Sequence, residues 1–143
     1  MLAAIPGVPN SASEGPATID GVPTGIVYDG EKFLVSTLTG FPFPAGKARI
    51  YQVDPAGKVS LYQEGFTTLV DIALGADNRP LVLQIATFGL QGLSPNSGTI
   101  TRATPEQNTV LLEGLNLPTD LERRGPKTWY VTSLVDGKVL KVD

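Results

Sequence analysis

A three-fold internal repeat constrains the fold of this 143-residue chain more than any other feature of its sequence. In each copy an acidic residue and a glycine precede an apolar residue, and successive copies lie 44 and 49 residues apart. The three motifs are Asp20-Gly21-Val22, Glu64-Gly65-Phe66 and Glu113-Gly114-Leu115. Repeats of about 40 to 50 residues that contain several short strands are typical of β-propeller blades.

Two apolar runs follow the motif in every copy, as expected for strands. The first run occupies residues 33–37, 81–85 and 129–133, and the second occupies residues 49–53, 99–102 and 138–142. Turn-forming segments precede the first run, as at Asp29-Gly30, and follow the second, as at Asp54-Pro55-Ala56-Gly57. The 16 glycines and 12 prolines also favour short strands joined by tight turns. The sequence therefore predicts an all-β fold, namely a β-propeller with three four-stranded blades in each chain.

The third copy lacks the last strand of its blade, and a matching strand precedes the first copy. Residues 17–21 align with the last-strand segments 61–65 and 110–114. Known propellers have about four to eight blades, so three blades do not close a ring. The sequence predicts a six-bladed ring formed by a homodimer, in which residues 17–21 of each chain complete the third blade of the partner. The alternative interpretation, one half of a longer protein, stays open.

This arrangement divides the chain into an extended N-terminal arm, residues 1–16, and a three-bladed half-propeller, residues 17–143. At the dimer interface, Thr18 and Ile19 of one chain are expected to pair with Val139 and Leu140 of the other. The arm contains several prolines and serines, a composition that favours an extended segment. It could attach the chain to a larger protein assembly.

Composition excludes several classes of function. The chain has no cysteine and no histidine, which rules out disulfides, imidazole ligands and Ser-His-Asp or Cys-His catalysis within it. The net charge of -3 argues against nucleic acid as a partner, because phosphate binding needs clustered cations. Residues 1–7 lack the basic start of a complete signal peptide, and no apolar run is long enough to span a bilayer. We expect a soluble chain.

Long loops between the second and third strands of the first two copies indicate where a ligand would bind. These loops run from Leu38 to Lys47 and from Ala86 to Gly98, and binding residues often lie on such loops. We expect the same face to carry Thr24, together with Gln84 and Ser133 at the ends of second strands. The aromatic residues Phe41 and Phe43 could grip an apolar ligand or cover the core of their own blade.

Two carboxylates occupy equivalent positions at the start of the first strand. They are Asp71 and Asp120, and the first copy has Gly25 there. A dimer would place four carboxylates around its channel, and such a ring could bind Ca²⁺ through oxygen ligands. In the alternative interpretation, each aspartate accepts hydrogen bonds from the backbone of its own turn. We expect no other cofactor.

Five longer motifs are shared with a known family of propellers: Pro23-Thr24-Gly25-Ile26, Leu38-Thr39-Gly40-Phe41-Pro42-Phe43-Pro44, Ala48-Arg49-Ile50-Tyr51-Gln52-Val53-Asp54-Pro55, Asp71-Ile72-Ala73 and Pro95-Asn96-Ser97-Gly98. In these motifs the chain resembles the ScyD/ScyE family of bacterial six-bladed propellers, and the resemblance covers about residues 17–143. It implies half of a family propeller and an extracytoplasmic location, but it supplies no catalytic residues.

Two functions remain after these exclusions. The first is a non-enzymatic binding or assembly module, a homodimeric propeller that binds a protein or small-molecule partner on the face that carries its long loops. The alternative is a cation-dependent hydrolase or lactonase with carboxylates that line the channel. Because the chain has no histidine base, catalysis by the chain alone is not expected.

Overall fold

The computed structural model describes residues 1–11 and 15–143, and these residues form strands and turns without a helix. Residues 12–14 of the predicted arm lie outside the described residues. A two-stranded antiparallel sheet comes first, in which β1 (Val8–Pro9) pairs with β2 (Thr18–Ile19). The all-β fold class is confirmed.

The first copy of the repeat forms a four-stranded antiparallel sheet, here called the first sheet. Its strands neighbour one another in chain order: β3 (Pro23–Tyr28), β4 (Phe33–Thr37), β5 (Ala48–Val53) and β6 (Val59–Phe66). β4 and β5 combine apolar, β-branched and aromatic residues, which favour strands in a covered sheet. Asp29 closes the β3–β4 turn by accepting hydrogen bonds from the N–H groups of Glu31 and Lys32, at 2.9 Å each.

The second and third sheets follow the same order. The second sheet consists of β7 (Leu69–Leu74), β8 (Pro80–Gln84), β11 (Gly98–Ala103) and β12 (Asn108–Leu115), with a small hairpin of β9 (Phe88–Gly89) and β10 (Gly92–Leu93) between β8 and β11. The third sheet has three strands: β13 (Pro118–Arg123), β14 (Trp129–Ser133) and β15 (Lys138–Val142). Each sheet therefore corresponds to one copy of the repeat.

Local backbone geometry also repeats from sheet to sheet. Immediately before the first strand of each sheet, a non-glycine residue has a positive φ: 49° at Val22, 48° at Thr68 and 46° at Leu117. The carbonyl oxygens of these three residues accept the N–H groups of Leu38, Ile85 and Leu134, at 2.9, 3.1 and 3.0 Å. A register shift follows two residues into the strand in all three sheets. The three copies thus share a fold and a β-bulge.

The three sheets pack face to face around two hydrophobic cores. Between the first and second sheets the buried residues are Leu34, Ala48, Ile50, Phe66, Leu69, Ile72, Val82 and Ala103. Between the second and third sheets they are Leu81, Leu83, Ile100, Leu115, Leu121 and Val131. Because Val82 belongs to one core and its neighbours to the other, β8 is covered on both faces. This double covering explains why its sequence is continuously apolar.

The N-terminal segment lies against the first sheet. In the single chain β2 pairs with β1, and the carbonyl oxygens of Asp20, Gly21 and Val22 accept N–H groups from residues 38–40. Close packing holds this segment: a Cβ at Gly21 would lie 2.6 Å from the carbonyl oxygen of Pro6. Pairing of residues 17–21 with a third sheet involves a second chain, so it stays a prediction.

Candidate functional site

The first strands of the three sheets, β3, β7 and β13, lie side by side and line an open cleft of about 480 Å³. The predicted residues Asp71 and Asp120 both lie in this cleft, together with Glu122 and Arg123. The register shifts described above place the two aspartates at matching positions, opposite Leu83 and Thr132. The repeat thus brings together two carboxylates that are 49 residues apart in the sequence.

Asp71 links the second sheet to the third. Its Oδ2 accepts the backbone N–H of Leu121, on β13, at 2.8 Å. Burial raises the pKa of the Asp71 carboxyl from 3.8 to about 6, and the neighbouring Asp120 carboxyl also raises it, whereas the N–H groups of Leu121 and Ile72 act in the opposite direction. Asp71 therefore accepts a backbone hydrogen bond from another sheet in addition to one from Ile72 of its own strand.

Thr24 makes the corresponding link between the first and second sheets. Its hydroxyl donates to the carbonyl oxygen of Leu69 at 2.9 Å and lies 3.1 Å from the hydroxyl of Ser36. Thr24 occupies the bulge position of its strand, like Val70 and Thr119 in the other sheets. The Asp71 and Thr24 links are thus located at the same end of the first strands. Further side-chain hydrogen bonds join the first and second copies of the repeat elsewhere, from Gln63, Asn78 and Asn108.

Gln84 and Ser133 satisfy local backbone groups at the ends of their strands. The Gln84 side-chain oxygen accepts the N–H of Thr67 at 3.2 Å, and the Ser133 hydroxyl donates to the carbonyl oxygen of Asn116 at 2.7 Å. Ser133 is buried, with 5% of its surface exposed. In the single chain these two residues hold the turn that enters their own sheet.

The two long loops meet in a cluster of three phenylalanines. Phe41 and Phe43 belong to the β4–β5 loop, and Phe88 begins the β9–β10 hairpin. The ring centroids of Phe43 and Phe88 are 5.0 Å apart, and Phe41 lies 6.0 Å from each of the others, all in edge-to-face arrangements. Phe41 is 72% exposed. We call the loops of residues 38–47 and 85–97 the long-loop face.

Phe88 and Leu90 were not predicted as site residues. Leu90 lies at the tip of the β9–β10 hairpin and is fully exposed. The only signal in the sequence was the length of the second loop, because a contact between two loops in different repeats leaves no periodic pattern. The long-loop face therefore carries more apolar surface than the two predicted phenylalanines alone.

The predicted metal site involves too few ligands in one chain. Among residues 1–11 and 15–143, no group of three or more His, Cys, Asp or Glu side chains is placed to hold a metal ion. Ca²⁺ takes about six to eight oxygen ligands, so a site at Asp71 and Asp120 needs oxygens from a second chain or from water. Ca²⁺ binding stays a prediction.

In comparisons with known proteins, no protein-family model and no curated protein sequence matches this chain. The resemblance to the ScyD/ScyE family is therefore still a prediction. In the described part of the chain, no helix is long and apolar enough to cross a membrane.

Proposed function

We propose that this chain is a non-enzymatic binding module that assembles as a homodimeric six-bladed β-propeller. Its long-loop face would hold a protein or small-molecule partner. Neither half of this proposal requires a catalytic residue, which fits a sequence without histidine or cysteine.

The three-stranded third sheet is the observation that carries the dimer. In the first and second sheets a fourth strand pairs with the third strand, whereas β15 pairs only with β14 in the described residues. In the repeat, β2 aligns with the fourth strands β6 and β12, and β2 lies in a sheet of only two strands. An open strand edge tends to pair with another strand. Two chains can satisfy both edges if β2 of each pairs with β15 of the other.

The pairing registers specify which residues would meet. Ile50 of β5 lies opposite Gln63, and Ile100 of β11 lies opposite Leu112. Val139 occupies the position of these two isoleucines, since Ser36, Leu83 and Thr132 are their equivalent partners on the second strands. Gln63 and Leu112 align with Ile19 in the repeat. Ile19 of one chain should therefore lie opposite Val139 of the other.

Disulfide crosslinking tests this register directly. The chain has no native cysteine, so Ile19→Cys combined with Val139→Cys gives a clean background. Directly opposed residues in antiparallel strands have the Cα separation that a disulfide needs. Mild oxidation should give a covalent dimer on a non-reducing gel. Ile19→Cys combined with Val110→Cys is the control, because Val110 is exposed on the outer strand β12.

Sedimentation velocity provides the second measurement. A chain that forms the proposed ring should sediment as a dimer at micromolar concentration, and Val139→Asp should weaken dimerisation at least about tenfold. Val110→Asp is the control and should leave dimerisation unchanged. Val110 is exposed to a similar extent as Val139, 55% against 69%, but it lies on β12, outside the proposed interface. A compact monomer that forms no crosslink at any tested concentration would contradict the proposal.

The exposed phenylalanine cluster supports the binding role of the long-loop face. Exposed aromatic groups on loops are common at binding sites. The fluorescent probe 8-anilinonaphthalene-1-sulfonate should bind this surface saturably, and Phe41→Ser should weaken that binding several-fold. Leu61→Ser is the control, because Leu61 is exposed on β6 outside the long-loop face. Equal loss of binding in both variants would argue against the long-loop face.

A further inference from the structure

The two internal interfaces use the same pair of sheet faces. We call the face that packs on the following sheet the forward face, and the opposite one the rear face. Leu34 and Ile50 on the forward face of the first sheet share a core with Val82 and Ala103 on the rear face of the second. Leu81, Leu83 and Ile100 of the second sheet share a core with Val131, Leu140 and Val142 of the third in the same way.

One rear face and one forward face are then left without a sheet. The first sheet has an unpaired rear face, formed by Phe33, Val35, Tyr51 and Val53. The third sheet has an unpaired forward face, formed by Tyr130, Thr132, Val139 and Lys141. In every internal interface a forward face packs on a rear face, so these two surfaces belong to complementary classes.

The unpaired rear face is covered in the single chain. Val35, Tyr51 and Val53 are 6%, 3% and 4% exposed, although neither the second nor the third sheet packs on this side. Leu2, Ala3 and Ile5 of the N-terminal arm line a groove of about 450 Å³ together with Phe33, Val35 and Val53. The arm also approaches the β5–β6 turn so closely that a Cβ at Gly57 would overlap the carbonyl oxygen of Leu2.

The first residues of the arm are only partly buried on this face. Leu2 is 55% exposed, and in the described part of the arm the strand β1 has only two residues. A neighbouring sheet would supply a larger apolar surface, as it does at both internal interfaces. Val139 is 69% exposed at the position where the other two sheets have a buried isoleucine.

We propose that the rear face of the first sheet is the docking surface for the third sheet of a second copy, and that residues 2–5 are a cover that this sheet displaces. The occupant follows from the internal interfaces, which place a forward face on a rear face twice in succession. The inference rests on the proposed homodimer, and it adds a competition between the arm and the partner chain.

Removal of the cover should tighten dimerisation. If the arm must leave before the partner docks, its contacts with the rear face oppose association. Deletion of residues 2–5 should lower the dimer dissociation constant by about tenfold in sedimentation experiments. The double variant Leu2→Ser with Ile5→Ser should act in the same direction without shortening the chain. Ala4→Ser is the matched control, because Ala4 is exposed and does not line the groove.

A spin label on the arm gives an independent readout that needs no destabilised variant. Ala4→Cys introduces the only cysteine of the chain. A nitroxide at this position should be restricted in the dilute monomer and become mobile as the dimer forms. An arm that stays restricted in the dimer would overturn the inference.

The failures of the two proposals are distinguishable. A full-length chain that dimerises with an unchanged or larger dissociation constant after deletion of residues 2–5 would refute the displaced cover and leave the homodimer standing. If neither the full-length chain nor the deletion variant dimerises, the proposed function is wrong and the inference is wrong with it.

Discussion

The rear face of the first sheet and the forward face of the third sheet are the two ends of one stack, yet they differ in composition and exposure. The first carries Phe33, Val35, Tyr51 and Val53, and the last three of these are buried. The other carries Tyr130, Thr132, Val139 and Lys141, and Val139 and Lys141 are exposed. Because both faces belong to copies of one repeat, the difference in exposure reflects what covers each face rather than the fold of the sheet.

The internal interfaces provide the reference for this comparison. Ile100 and Val139 occupy the same position of their sheets, but Ile100 is 2% exposed and Val139 is 69% exposed. The contribution of an apolar side chain to stability depends on the surface that it removes from water. Substitutions at equivalent positions should therefore differ in cost according to how far each position is buried.

The largest effect is expected at the internal interface. Ile100→Ala should lower the free energy of unfolding by about 2 to 4 kcal/mol, because it leaves a cavity between the second and third sheets. Val139→Ala should lower it by less than about 0.5 kcal/mol in the monomer. Urea denaturation at submicromolar concentration measures both values. Similar losses in the two variants would show that the forward face of the third sheet is already covered.

The cover on the first sheet should produce the next largest effect. Val35→Ala and Val131→Ala affect equivalent rear-face positions, which are 6% and 0% exposed. Each should cost about 1 to 2 kcal/mol of unfolding free energy in the full chain. Without residues 2–5, the cost of Val35→Ala should fall by more than half, while that of Val131→Ala should not change. An unchanged cost for Val35→Ala would mean that the arm does not bury this residue.

The stability of the interface between the second and third sheets should depend on pH through Asp71. Its pKa in the folded chain, about 6, lies above the ordinary value of 3.8, so the folded state holds the proton more tightly than the unfolded state. The stability that this proton contributes is complete below about pH 4 and is lost as the pH rises through about 6.

Asp71→Asn should therefore be more stable than the native chain at about pH 7.5, by about 1 to 2 kcal/mol after allowance for solvent screening. The advantage should shrink towards about pH 4, where the native carboxyl is protonated. Asparagine can still accept the N–H of Leu121. Urea denaturation at the two pH values measures the difference, and Asp20→Asn is the control at an exposed carboxylate outside the cleft. A variant that is equally less stable at both pH values would contradict the raised pKa.

The smallest effect is expected for the Thr24 hydroxyl, which links the first and second sheets. Thr24→Val removes the hydrogen bond to the carbonyl oxygen of Leu69 and should cost about 0.5 to 1 kcal/mol of unfolding free energy. Thr109→Val, at an exposed position on β12, should change stability little. Thermal unfolding can resolve this difference. Equal melting temperatures would mean that water replaces the Leu69 contact without loss.

Much of the fold could be predicted because it depends on short-range patterns. Apolar runs, Asp-Gly turns and a repeat of about 45 residues are properties of neighbouring positions, so the strands of all three sheets were recognisable. The alignment of Asp71 with Asp120 followed from the same repeat.

Contacts between copies could not be predicted in this way. The Phe41–Phe43–Phe88 cluster joins two loops that have no repeated sequence, and the bond from Leu121 to Asp71 depends on how closely the second and third sheets stack. The position of the arm is also a tertiary result, since its prolines favour an extended segment but do not select the surface that it covers.

By itself, the sequence determined that the chain is all-β and that it is built from three similar units, because backbone pairing and turn formation are local. Only the tertiary structure decided which faces are buried, because burial depends on the neighbour that each sheet finds. The N-terminal arm covers the rear face of the first sheet, the second sheet packs against a sheet on each side, and the forward face of the third sheet carries the exposed residues Val139 and Lys141.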